Sequence, residues 1–109
     1  MLVLSRGVSQ MVRIGNNALV IVDEISEKGV VFLIYAPFLQ VQKGGEHVLA
    51  PEDNFIRVTS AVNETVVIGS IVAMVPNRVK GRRASIGFMA PEDVRILRAE
   101  LKDGATVAA

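Results

Sequence analysis

The chain has 109 residues, half of them hydrophobic, with twelve Lys and Arg against eleven Asp and Glu, one histidine, and neither cysteine nor tryptophan. That is one ordinary domain, or two halves each too small to hold a core alone. Disulfides and thiolate metal sites are excluded, and the lone His47 offers little for metal ligation or acid–base catalysis, so no enzyme, metal or cofactor is expected.

In chain order the first elements read as strands. LVLSR from Leu2 is followed by a Val-Ile run closed by Ile14-Gly15-Asn16-Asn17, and then by ALVIVDEI from Ala18. The polar turn Ser26-Glu27-Lys28-Gly29 leads to VVFLIY, stopped at Ala36-Pro37. Turns every 8–12 residues or so are all-β patterning. Residues 44–54 contain Gly44-Gly45 and Pro51 and read as a linker rather than a helix. From Ile56 the pattern returns as IRVTS, TVVIG, SIVAMV, the turn Lys80-Gly81-Arg82-Arg83, and ASIGFM stopped at Ala90-Pro91. Pro76 lacks an amide hydrogen, so its strand is expected to be short or to lie at an edge. Between Glu92 and Gly104, Val94, Leu97 and Leu101 recur at helical spacing. This predicts a short last strand passing into a C-terminal helix stopped at Gly104, with a tail over 104–109. Alternation marks Val3, Val20, Val22, Ile34, Val66, Ile68, Met74 and Phe88 as core.

Charged residues interrupt every apolar run well short of the roughly 20 residues a membrane helix needs. The start MLVLSR does not read as a signal peptide, and a cytoplasmic protein without a membrane partner is expected. Asp23, Glu24 and Glu27 read as a solvated turn rather than a carboxylate site, because neighbours on a strand point to opposite faces.

Sliding the chain by 54 residues aligns Val8 with Val62, Ile14-Gly15 with Ile68-Gly69, and Ala36-Pro37 with Ala90-Pro91, without a gap. The sequence reads as a tandem duplication, with repeats over residues 1–43 and 55–103 joined by the 44–54 linker. Copies of about 50 residues bury too little surface to stand alone, so the two are expected to intertwine around one shared core. Charge separates them: residues 1–54 carry four basic and six acidic side chains, residues 55–109 eight and five. The basic second half can supply a local phosphate-binding patch.

Met1-Leu2-Val3-Leu4-Ser5-Arg6, the Ile14-Gly15-Asn16-Asn17 turn and the Ala36-Pro37 stop resemble the carbon storage regulator (CsrA/RsmA) family. Asn63-Glu64-Thr65, Ile68-Gly69, Lys80-Gly81, Ile86-Gly87, Ala90-Pro91 and Arg98-Ala99-Glu100 repeat the resemblance more loosely. The resemblance implies two five-stranded repeats intertwined as a pseudo-symmetric dimer fused into one monomeric chain. It also implies binding to GGA-containing hairpin loops or single strands in messenger leaders, with effects on translation or transcript stability. Each RNA site of the family is composite, built from the first strand of one subunit and the last of the other. Carried over, Leu4 and Arg6 join Ile96, Leu97 and Arg98 in one site, with Ala90, Pro91, Lys80 and Arg82 nearby. In the other site Val58 and Ser60 stand for Leu4 and Arg6, and Gly44, beside Lys43, stands for Arg98. One intact and one degenerate site per chain are therefore expected, because neither Ser nor Gly replaces the planar fork with which Arg bonds a guanine edge. Leu97 in place of the family's usual histidine, and Gly7 in place of a frequent arginine, leave a second reading open. In it, an interaction protein keeps the fold, has given up RNA, and binds a protein antagonist or another regulator.

Overall fold

In Ala18–Ser26 and Val72–Lys80 burial alternates residue by residue over most of the length, the signature of strands with one face on a core. The computed structural model describes residues 1–16, 18–37, 39–48, 55–70, 72–102 and 105–108. They form twelve strands: β1 Leu2–Gly7, β2 Met11–Ile14, β3 Ala18–Ser26, β4 Gly29–Tyr35, β5 Val41–Lys43, β6 Glu46–Val48, β7 Phe55–Ala61, β8 Val66–Ile68, β9 Val72–Lys80, β10 Arg83–Met89, β11 Ile96–Lys102 and β12 Ala105–Ala108. Asn17 of the expected turn, residues 49–54 of the expected linker and the expected stop at Gly104 lie outside the described residues.

The strands make two six-stranded sheets, ordered β1-β10-β9-β8-β5-β6 and β12-β11-β2-β3-β4-β7. Each sheet draws strands from both halves of the chain. β1 pairs antiparallel with β10 from Leu2↔Phe88 to Gly7↔Arg83, and β7 pairs with β4 through Ile56↔Ile34 to Ala61↔Gly29. These are the same pairs with the halves exchanged, and β11 on β2 and β5 on β8 repeat the exchange at the other end of each sheet. The inner faces meet in a single core that includes Val20, Val22, Phe32 and Ile34 of the second sheet and Val66, Ile68, Met74, Ile86 and Phe88 of the first. Of the core residues expected from alternation, Val3 alone is exposed: odd-numbered positions of β1 face outward, while Leu4 and Arg6 face in.

Two expectations are corrected. Where a C-terminal helix was predicted, Ile96–Lys102 is strand, pairing with β2 over Ile96↔Ile14 to Ala99↔Met11 and with β12 on its other side. Leu97, Ala99 and Leu101 are good helix formers, but pairing with a strand distant in sequence outweighs local preference. Nor is the strand of Pro76 short or at an edge: β9 has nine residues and lies between β10 and β8. The carbonyl of Pro76 accepts from the Asn63 amide at 2.7 Å, on the side away from β10 and beyond the end of β8. Its missing N–H points the same way, so the β10 ladder loses nothing. The stretch read as a linker also carries β6, folded onto β5 through Gly44 and Gly45, both at positive φ.

Candidate nucleic-acid interface

Two seams form where an edge strand of one sheet, β1 or β7, faces the end of the other sheet, where β11 or β5 lies one strand in from the edge. At the first, β1 places Leu4 and Arg6 on its inner side, 6% and 3% exposed. β11 sets Ile96 opposite Ile14 and Arg98 opposite Val12, and directly opposed residues share a face. Val12 lies in the core, whereas Arg98 on the next strand overhangs it and is exposed. The two strands adjoin: Leu2, Ala90, Val94 and Ile96 line one cavity of ≈ 370 Å³. Farther along, Arg6 Nη1 donates to the Met11 carbonyl at 3.2 Å, and Met11 is the β2 residue opposite Ala99. Arg6 thus bonds the β2 residue next to Val12, and Val12 is the residue opposite Arg98.

Their environments differ. The Arg6 guanidinium is turned onto backbone, Nε donating to the Ser5 carbonyl at 2.9 Å in addition to the bond to Met11. Among the described residues, no side-chain hydrogen bond or ion pair involves the exposed Arg98. Ile96 and Leu97 are half-buried, and Ala90 and Pro91 are exposed just past β10, with Pro91 on a neighbouring groove beside Met89 and Ala73. Lys80 and Arg82 are exposed on the β9–β10 hairpin, level with the end of β1.

At the second seam β7 places Val58 and Ser60 on its inner side, 3% and 0% exposed. Lys43 Nζ donates to the Thr59 carbonyl at 2.9 Å and lies 3.7 Å from Glu64 Oε1. The register corrects one expectation: Lys43 stands opposite Val66 as Arg98 stands opposite Val12, so Lys43 and not Gly44 takes the place of Arg98, and Gly44 lies one residue beyond, in the turn at φ 60°. Lys43, Ser60 and Glu64 line a cavity of ≈ 430 Å³ at the place that Arg6 occupies in the first seam.

Charge divides the seams further. Beside the first, the β9–β10 hairpin exposes Arg78, Lys80, Arg82 and Arg83. Beside the second, the β3–β4 hairpin carries Asp23, Glu24, Glu27 and Lys28, and Arg57 of β7 is held by Asp23 and, at 2.6 Å, by Glu24. Sequence reasoning passed over Arg83, which stands opposite Gly7 and donates through Nε to Ser5 Oγ at 3.0 Å and through Nη2 to the Ser5 carbonyl at 3.1 Å. The signal was its place in the Lys80–Arg83 turn, which puts it next to the last residue of β1.

Residues 57–106 match the model of CsrA, the global regulator protein family. The match runs from within β7 into β12, including Lys80, Arg82, Ala90, Pro91 and Ile96 to Arg98, and does not extend to β1. No curated protein and no solved structure matches the chain.

Proposed function

We propose, from the match of residues 57–106 to the CsrA family, that this chain is two family subunits fused into one monomeric, cytoplasmic polypeptide that binds GGA-containing hairpin loops in messenger leaders. One intact composite site, the first seam, holds the RNA and thereby alters translation or transcript stability. The contrast between the seams carries this reading. One carries the exposed Arg98 and, on the hairpin paired with β1, four basic side chains, while at the other the residue in the place of Arg98, Lys43, is paired with Glu64. Single-stranded loops expose the base edges that an arginine fork reads, and a basic flank holds their phosphates. Arg98 is the reader. Arg6, its donors on Met11 and Ser5, locks β1 to β2 and fixes the strand that carries Leu4.

Titration with a single-hairpin GGA RNA should saturate at one RNA per chain, with a scrambled loop bound much more weakly. Arg98→Ala should cost on the order of 1–3 kcal/mol of affinity with the urea midpoint unchanged. Arg6→Ala should also lower folding stability by about 2 kcal/mol, because the Met11 carbonyl loses its donor. Two equal sites, or full GGA affinity in Arg98→Ala, would overturn the reading.

One observation favours the second reading, an interaction protein without RNA. The outer face of the second sheet carries an apolar patch, Leu19, Tyr35 and Phe55 in one row and Ile21 and Leu33 in the next, with Arg13 and Arg57 at the row ends and the Tyr35 and Phe55 rings 5.2 Å apart. Failure to bind any GGA RNA would make that face, and a protein antagonist, the better account.

A further inference from the structure

Arg6 Nε and Arg83 Nη2 donate to the same acceptor, the Ser5 carbonyl, at 2.9 and 3.1 Å. Two guanidinium groups meeting on one oxygen raise the local positive potential, and such a place attracts an anion. Immediately beside it lies a cavity of ≈ 520 Å³ whose walls include Gly7, Val8, Gln10, Gly81, Arg82 and Arg83, and no carboxylate lines it. Among the described residues no ion pair involves Arg82 or Arg83. Arg83 is fixed rather than waving: Nε and Nη2 are tied to Ser5, and Nη1 lies 3.6 Å from the point where a Cβ on Gly7 would stand. The absent side chain of Gly7 thus opens the cavity toward Arg83 Nη1. At the corresponding place by the second seam the pair is reversed, Gly29 opposite Ala61, and the cavity there is lined by Glu24 and Glu64.

We propose that Gly7, Arg82 and Arg83 form a phosphate site that takes a backbone phosphodiester of the bound RNA, outside the bases read at Arg98. The proposal deepens the RNA reading and rests on it. Arg83 supplies a pre-positioned planar fork, Arg82 a second cation, and the glycine the room for two phosphate oxygens. The contact is blind to sequence, so it adds affinity without adding discrimination.

The test measures binding of a GGA hairpin and a scrambled-loop hairpin over a series of salt concentrations, using the wild-type chain, Arg83→Gln, Gly7→Asp and Gly7→Ala. Gly7→Asp sets a carboxylate in the cavity against Arg83, and Gly7→Ala adds only a methyl at ordinary contact distance. Arg83→Gln and Gly7→Asp should each weaken both RNAs about tenfold, leave their affinity ratio unchanged, and reduce the slope of log K on log salt by about 0.7. Gly7→Ala, which fills part of that room without adding charge, should weaken both RNAs by less than Gly7→Asp does and leave the slope unchanged. If the wild type discriminates GGA and neither variant changes the slope, the phosphate site is wrong and the RNA reading stands. If discrimination is absent but both variants still flatten the slope, the RNA reading falls and the site stands. Inorganic phosphate saturating the site at millimolar concentration, with RNA slopes unmoved by the variants, would assign it to the free anion and overturn the proposal.

Discussion

At the scale of single residues, the two halves satisfy the same backbone groups by different means. In the first half the Val22 amide donates to the Gln10 carbonyl at 3.0 Å, and Val22 in turn accepts from Ser9 at 2.7 Å. In the second, Pro76 stands where Val22 does and has no hydrogen to give. The Glu64 carbonyl, counterpart of that of Gln10, instead accepts from Ser60 Oγ at 2.8 Å. Ser60, where the first half has Arg6, and Pro76, where it has Val22, thus complement each other: the short hydroxyl supplies the donor that the proline lacks. Ser60→Ala should cost about 1 kcal/mol of stability. Combining it with Pro76→Val, which restores the amide donor, should recover most of that loss. Urea unfolding of the four chains of this double-mutant cycle measures the coupling, and strict additivity would show that the two positions are independent.

At the scale of elements, strand pairs fit as closely as their glycines allow. A Cβ on Gly29 would stand 2.2 Å from the Ser60 carbonyl oxygen across the β4–β7 ladder, a clash with backbone that no rotamer relieves. Gly29→Ala should therefore lower stability by about 2–3 kcal/mol as the two strands are forced apart. Gly7→Ala, in the corresponding β1–β10 pair, should change it by less than about 0.5 kcal/mol; equal urea midpoints for the two variants would refute the close approach. Such local matters explain what could be read in advance. β1 to β4 and β7 to β10 were legible because alternation and turn residues lie within the elements themselves. β11 was not, since the helix-like spacing of Val94, Leu97 and Leu101 says nothing of β2, the remote edge that makes it a strand. β6 was missed because Gly44-Gly45 suits a linker as well as the tight hairpin whose two positive φ angles it supplies. The composite pairing of Arg6 with Arg98 came from the resemblance. The burial of Arg6 against Met11 depends on how the sheets close, which no spacing in β1 encodes.

At the scale of the whole molecule, the exchange of strands makes the two halves interdependent. The first sheet needs β1, β5 and β6 from the first half and β8, β9 and β10 from the second, while the second sheet takes β2, β3 and β4 from the first half and the remaining three strands from the second. Either half alone would leave its three-stranded meander without edge partners, and would expose the inner faces that Phe32, Ile34, Met74 and Phe88 now close. A protease site introduced between β6 and β7 should therefore yield a cut chain that stays folded and co-elutes as one species. Its unfolding midpoint should become concentration-dependent, since tethering no longer holds the partners at high effective concentration. The first seam takes β1 from one half and β11 from the other, so each half expressed separately should bind no GGA RNA, and mixing the two should restore one site per reconstituted pair. Circular dichroism and the same hairpin titration follow both events. A separate half that unfolds cooperatively by itself, or binds GGA RNA without its counterpart, would show that the seam is not the site and that the chain folds as two independent units.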